Sequence, residues 1–243
     1  MLTRFDSIPA SERIIVALDM DAFEAYALAE RLRGRAAWVK IGMTLLYAEG
    51  PSIVAAFKKR GFKVFVDLKL HDIPHQVAGA AASLVECGAD MVTFHTVGGV
   101  PMMSAGQHAV EDRAGILNVP CPITLGVTVL TSMDADTLRA TGVERPVAEQ
   151  VRCLAAQAKE AGLSGVVASP QEASMLRELL GPDAAIVTPG VRPAGAALGD
   201  QSRVATPAKA FADGASHIVV GRPITQAEDP VAAFEAIASE VNV

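Results

Sequence analysis

The sequence is 243 residues long, 51% hydrophobic and 20% charged, which supplies a sizeable core and argues against a disordered chain. Its length suits one (β/α)8 barrel, with two small domains as the alternative, and aromatics at only 5% fit helices packed on a sheet better than an aromatic-rich sandwich. A net charge of −6 argues against polymeric nucleic acid as a partner, because a polyanion needs a basic face, but leaves room for a small anion held by a few local cations.

Short β-branched runs alternate with longer amphipathic stretches along the whole chain. The first strand is expected at Arg13 to Asp19 (RIIVALD), followed by a helix from Ala22 to Arg33. The second strand, Trp38 to Gly42 (WVKIG), leads to a helix from Ser52 to Arg60; the third, Lys63 to Lys69 (KVFVDLK), leads to one from His75 to Cys87. The fourth, Asp90 to His95, precedes a helix from Met102 to Arg113, and the fifth, Ile123 to Val129, one from Pro146 to Ala161. The sixth, Gly165 to Ser169, is followed by Gln171 to Leu180; the seventh, Ala185 to Thr188, by the short Pro207 to Asp213; and the eighth, His217 to Gly221, by Pro230 to Val243. Gly34, Gly61, Gly88, Gly162, Gly181 and Gly214 read as helix stops.

Repeated strand–helix units predict parallel strands with right-handed crossovers, and eight of them close most naturally into a single-domain α/β (β/α)8 TIM barrel spanning residues 1–243. An open doubly wound sheet is the alternative. Its dinucleotide-binding form needs a GxGxxG turn after the first strand, where this chain reads LDMDAF. The N-terminus lacks the apolar run of a signal peptide, and no stretch reaches the ~20 apolar residues of a membrane span. A cytoplasmic protein with no membrane partner is expected. Cys87, Cys121 and Cys153 are far apart, odd in number and without metal-ligand spacing, so they are expected to be buried thiols.

Barrel strands are buried on both faces and should read as apolar, so charges at their C-terminal ends point to chemistry. With a period of two, Ile15, Ala17 and Asp19 share a face on the first strand. Lys40 shares one with Trp38 and Gly42, and Phe65, Asp67 and Lys69 share one on the third strand. If those faces point inward, an alternating Asp–Lys–Asp–Lys array forms in one pocket, where opposite charges make burial tolerable. Asp72 lies past the strand, in the turn HDIPH, where a helix cap ahead of Pro74 is the plain reading. His71 and His75 have no third ligand nearby to make a metal site, and His95 reads as a satisfied buried histidine.

At the other end of the chain, TPGVRP carries Gly190 and Arg192 after the seventh strand, and GRPIT carries Gly221 and Arg222 after the eighth. Those loops are the usual phosphate site of such barrels: glycine lets backbone N–H groups approach an oxyanion, and arginine clamps it in bidentate fashion. Between them, Val191 to Arg203 (VRPAGAALGDQSR) is rich in small residues, includes Gln201, and has the length of a lid.

The segment VFVDLKLHDIPHQV resembles the DxKxxDI signature of orotidine 5'-phosphate decarboxylases. The resemblance extends through VALD, VKIG, LTSM, TPGVRP, GDQSR and VVGRPIT, almost the whole chain. It implies decarboxylation of orotidine 5'-phosphate to UMP, the last step of de novo pyrimidine nucleotide synthesis, with no cofactor and no metal. Asp19 and Lys40 then resemble residues that hold the ribose and extend the charge network, Asp67 the acid beside the departing carboxylate, and Lys69 the proton donor. Asp72 and Ile73 resemble residues lent to the neighbouring subunit, which implies a homodimer. Thr131 matches a pyrimidine-contacting position, and Arg192, Gln201, Gly221 and Arg222 match the phosphate grip and its lid. The departure is His75, where the resemblance leads one to expect Asn or another small polar residue. Two other readings remain open at this point. One is a Mg2+-dependent sugar-phosphate decarboxylase of the same suprafamily, such as the 3-keto-L-gulonate 6-phosphate enzyme, expected to carry an acidic metal ligand where Lys40 stands. The other is a non-catalytic barrel that only binds nucleotide phosphates.

Overall fold

A computed structural model describes residues 3–193 and 205–241. Parallel strands β1 (Ile14–Ala17), β2 (Trp38–Gly42), β3 (Lys63–Leu70), β4 (Met91–His95), β5 (Ile123–Val127), β6 (Gly165–Val167), β7 (Ala185–Thr188) and β8 (His217–Val220) pair in chain order. β8 closes on β1 through the register Ile15↔Val219, so the sheet is a barrel and not an open sheet. Around it lie α1 (Ala22–Leu32), α2 (Met43–Glu49), α3 (Ser52–Lys59), α4 (Pro74–Glu86), α5 (Gly99–Leu117), α6 (Ala135–Ala140), α7 (Val147–Glu160), α8 (Ala173–Leu180), α9 (Pro207–Ala212), α10 (Arg222–Thr225) and α11 (Pro230–Val241).

Alternation along the strands divides the core in two, as a period of two requires. Ile15, Ala17, Trp38, Phe65, Met91, Leu125, Ala185, Val187 and Val219 fill the barrel interior. Their sequence neighbours Ile14, Val16, Val39, Ile41, Val64, Val66, Ile186 and Ile218 pack outward against the helices. Phe5, from the N-terminal segment, joins the interior cluster and closes the floor with Trp38 and His217, both of whose rings meet it or each other edge-on. Gly165 is needed where β6 meets β7: a Cβ there would lie 1.8 Å from the Ala185 carbonyl oxygen.

The six glycine stops all have positive φ, from 75° at Gly34 to 102° at Gly214, as C-terminal helix stops favour. Several strands stop short of their expected C-terminal ends: β1 ends at Ala17, β5 at Val127, β6 at Val167 and β8 at Val220. There the backbone leaves the ladder to build the mouth. Helices α2, α6 and α10 were not expected from the sequence; at seven, six and four residues they are too short for a helical period to show. The cysteine expectation needs correcting. All three are free, but Cys121 is exposed in the loop between α5 and β5, Cys153 is only partly buried, and Cys87, at the C-cap of α4, is partly buried against the edge of the core. Among the described residues, no helix is long and apolar enough to cross a membrane.

Candidate active site

The registers Ala17↔Lys40 and Gly42↔Asp67 bring the ends of β1, β2 and β3 to one level. Asp19 stands two residues past β1, and its Oδ1 accepts a hydrogen bond of 2.9 Å from Lys40 Nζ. Lys40 Nζ lies 3.7 Å from Asp67 Oδ2, and Lys69 Nζ donates to both Asp67 oxygens at 3.0 Å. Acid and amine therefore alternate without a break from Asp19 to Lys69. The Lys40 and Asp67 side chains are 11% and 13% exposed, whereas that of Asp19 is 62% exposed, so the array runs from solvent into the barrel. Removing one partner of a buried pair strands the other and costs roughly 3–5 kcal/mol, so the middle members hold each other in place. Gly42 makes the room: a Cβ there would come within 3.1 Å of Asp19 Oδ1 and 3.3 Å of Lys40 Nζ.

Simple alternation does not describe the end of β3. Val66 pairs with Val92 and Leu70 with Phe94, so three residues of β3 stand against one of β4. This bulge carries Lys69 into the left-handed region, at φ 53°. For a non-glycine residue that conformation is strained by roughly 1–3 kcal/mol, and such strain gathers at functional sites. Two extra residues leave the alternation in phase, so Asp67 and Lys69 both line the interior, as the period of two requires, while Val66 stays among the helix-facing core residues. Thr93, the β4 residue opposite the bulge, accepts the Lys69 N–H at 2.8 Å and donates to Asp67 Oδ1 at 3.1 Å. Thr93 carries no charge and does not stand out in the sequence. The available signal was its phase: Met91, Thr93 and His95 share the interior face of β4, beside the charged end of β3. His95 is also not the satisfied histidine expected, since its buried Nδ1 has no hydrogen-bond partner. Burial, then His71, then Lys69 push its pKa below the usual histidine value.

Asp19, Lys40, Asp67 and Lys69 line one cavity of about 920 Å³ at the C-terminal mouth. Thr131, Arg192, Gly221 and Arg222 line it too, together with Ser132 and Gly190, so cations that follow β7 and β8 share one cavity with the Asp–Lys array. Gly190, at φ 77°, makes the turn that sends the chain from β7 to the buried Arg192. Gln201, and most of the lid expected over Val191 to Arg203, lie outside the described residues. The start of that stretch is tied down: Val191 bridges Ala205, and Arg192 N–H donates to the Ala205 carbonyl.

Asp72 and Ile73 do not line this cavity. Asp72 is exposed, accepting only the adjacent Ile73 N–H at 2.6 Å, and α4 has Ile73 as its N-cap, so Asp72 is not the helix cap that its position suggests. His75 is exposed on the first turn of α4. Among the described residues, no group of three or more His, Cys, Asp or Glu side chains could hold a metal ion.

The model of the "Orotidine 5'-phosphate decarboxylase / HUMPS family" matches residues 12–237. The chain belongs to this family. Among family members, the orotidine 5'-phosphate decarboxylase of Moorella thermoacetica is 52% identical to it over 236 residues, covering 96% of this chain and 94% of that protein. The enzyme of that name from Halorhodospira halophila is 49% identical, covering 97% of this chain and 98% of its own length. The crystal structure of orotidine 5'-phosphate decarboxylase from Lactobacillus acidophilus superposes with a TM-score of 0.83 at 39% identity, over 96% of this chain and all of that one. Family membership and barrel geometry thus agree across nearly the full chain.

Proposed function

We propose that this chain decarboxylates orotidine 5'-phosphate to UMP and carbon dioxide, the last step of de novo UMP synthesis, in the cytoplasm and without a cofactor. The observation that carries this reading is the unbroken Asp19–Lys40–Asp67–Lys69 array at the mouth of the barrel. Breaking the bond from C6 to the carboxylate leaves an electron pair on a ring carbon that has no position to delocalise it. Lys69 Nζ, tethered to Asp67, stabilises that charge and gives C6 its proton. Lys40 holds Asp67 from the other side, and Asp19 beyond it is exposed enough to meet the ribose hydroxyls. Thr131 contacts the pyrimidine. Arg192, Gly221 and Arg222 grip the phosphate, with Gln201 assigned to the lid. Binding energy from that remote phosphate is spent on assembling the site around C6, since no single ion pair accounts for an enzymatic barrier reduction.

A Mg2+-dependent sugar-phosphate decarboxylase is disfavoured by Lys40, whose ammonium stands between the two carboxylates, where it repels a divalent cation. A dimer is supported by apolar side chains at the rim after three successive strands: Met43 and Tyr47 after β2, Ile73 after β3 and Val97 after β4 are all exposed. A two-fold contact across this rim covers them and delivers Asp72 and Ile73 to the neighbouring site.

Purified protein incubated with orotidine 5'-phosphate is expected to lose the substrate's pyrimidine absorbance and yield UMP, with no effect of EDTA. An unchanged spectrum sinks the reading, and a requirement for Mg2+ favours the sugar-phosphate alternative. Mixing inactive Asp72→Asn chains with inactive Lys69→Ala chains should restore activity, because each hybrid dimer holds one site with both native residues; proven hybrids without activity exclude the shared site.

A further inference from the structure

The geometry points to Thr93 as a positioning residue for the Asp67–Lys69 pair. The β3–β4 ladder is interrupted between Val66↔Val92 and Leu70↔Phe94, so Lys69, in the left-handed region at φ 53°, has no register partner on β4. The Thr93 hydroxyl takes that role, accepting the Lys69 N–H at 2.8 Å. With its oxygen occupied as an acceptor, the hydroxyl has its own hydrogen to give, and Asp67 Oδ1 at 3.1 Å can only accept it. Lys69 Nζ then closes a ring by donating to the same carboxylate at 3.0 Å. The ring runs from the Lys69 backbone through Thr93 and Asp67 to the Lys69 ammonium. It fixes both ends of the lysine side chain and the plane of the carboxylate.

Thr93 is 1% exposed, so no water stands ready to replace its hydroxyl. Without it, a part-buried N–H and a carboxylate oxygen each lose a partner, and the strained backbone at Lys69 loses its tether. Thr93 does not line the cavity, and its effect reaches the reacting carbon only through Asp67 and Lys69. This inference rests on the reading of Lys69 as proton donor.

The test compares Thr93→Val, which removes the hydroxyl at nearly constant volume, with Thr93→Ser, which keeps it. Thr93→Val is expected to lower kcat on the order of 10²-fold, the scale of a displaced catalytic group, while KM moves less than about threefold. Thr93→Ser is expected to retain kcat within about threefold of wild type. Equal kcat values for the Val and Ser variants overturn the proposal, as does a Val variant altered in KM or thermal stability alone. If Thr93→Val fails to fold, Thr93→Ala replaces it: Ala and Ser both lack the methyl group, so a kcat deficit in Ala relative to Ser supports the proposal and parity overturns it. Lys69→Ala serves as the control. A Lys69→Ala chain with full activity sinks the proton-donor reading and this inference together, whereas an inactive Lys69→Ala beside a fully active Thr93→Val sinks only the role of Thr93.

Discussion

At the mouth of the barrel, Lys40 sits between the carboxylates of Asp19 and Asp67; at the floor, His217 on β8 is enclosed by the rings of Phe5 and Trp38 and by the Ser216 hydroxyl. The same closed sheet carries both groups, one near each end of its strands. Burial, then Arg13, Lys63 and Arg4, push His217 down to about 3, because nothing negative stands close enough to favour its charged form. At the mouth, acids and amines are interleaved so that each buried charge meets its opposite. The contrast separates two uses of burial: the floor keeps its histidine neutral and holds the barrel shut, while the mouth keeps charge in a low-dielectric setting, where it acts strongly on a bound substrate.

Removing the mouth's amine should produce the largest change. Lys69→Ala is expected to lower kcat by at least about 10⁴-fold, the upper range for general acid catalysis, as read by a steady-state assay. Arg222→Ala, on the phosphate side of the same cavity, should lower kcat/KM by about 10²- to 10³-fold, and an unaltered kcat/KM would show the phosphate grip to be elsewhere. A floor substitution should show the reverse pattern. Phe5→Ala is expected to reduce stability by about 3 kcal/mol through loss of a buried ring, with kcat within twofold of wild type in the folded protein.

The most gradual effect belongs to pH. His217 is neutral in the folded barrel down to about pH 3, but its unfolded value is near 6.5, so between those values the unfolded chain binds a proton that the folded chain does not. Its contribution is therefore complete above about pH 6.5 and is lost progressively as pH falls toward 3, at no more than about 1.4 kcal/mol per pH unit. Denaturant titrations of His217→Phe across this window should show a shallower acid loss than wild type. An identical slope would mean that the floor histidine is not a source of acid sensitivity.

Much of the mouth is legible in the sequence. Asp19, Lys40, Asp67 and Lys69 stand out because charge on the interior phase of a buried strand conflicts with the apolar pattern around it. The eight strands and the glycine stops were legible for a related reason: β-branched runs and left-handed turns are local properties. The floor was far less so. Phe5 lies outside every strand and helix, and only chain closure brings it to His217, more than two hundred residues along.

From its sequence alone, this protein's strand–helix alternation, barrel class and charged strand ends follow, because period, turn chemistry and local pattern are written residue by residue. Tertiary structure alone decided that β3 bulges against β4, that Lys69 turns left-handed, and that Thr93 bridges it to Asp67. The physical reason is that register between neighbouring strands depends on both partners at once, and one strand's pattern does not say how many of its residues the next will match.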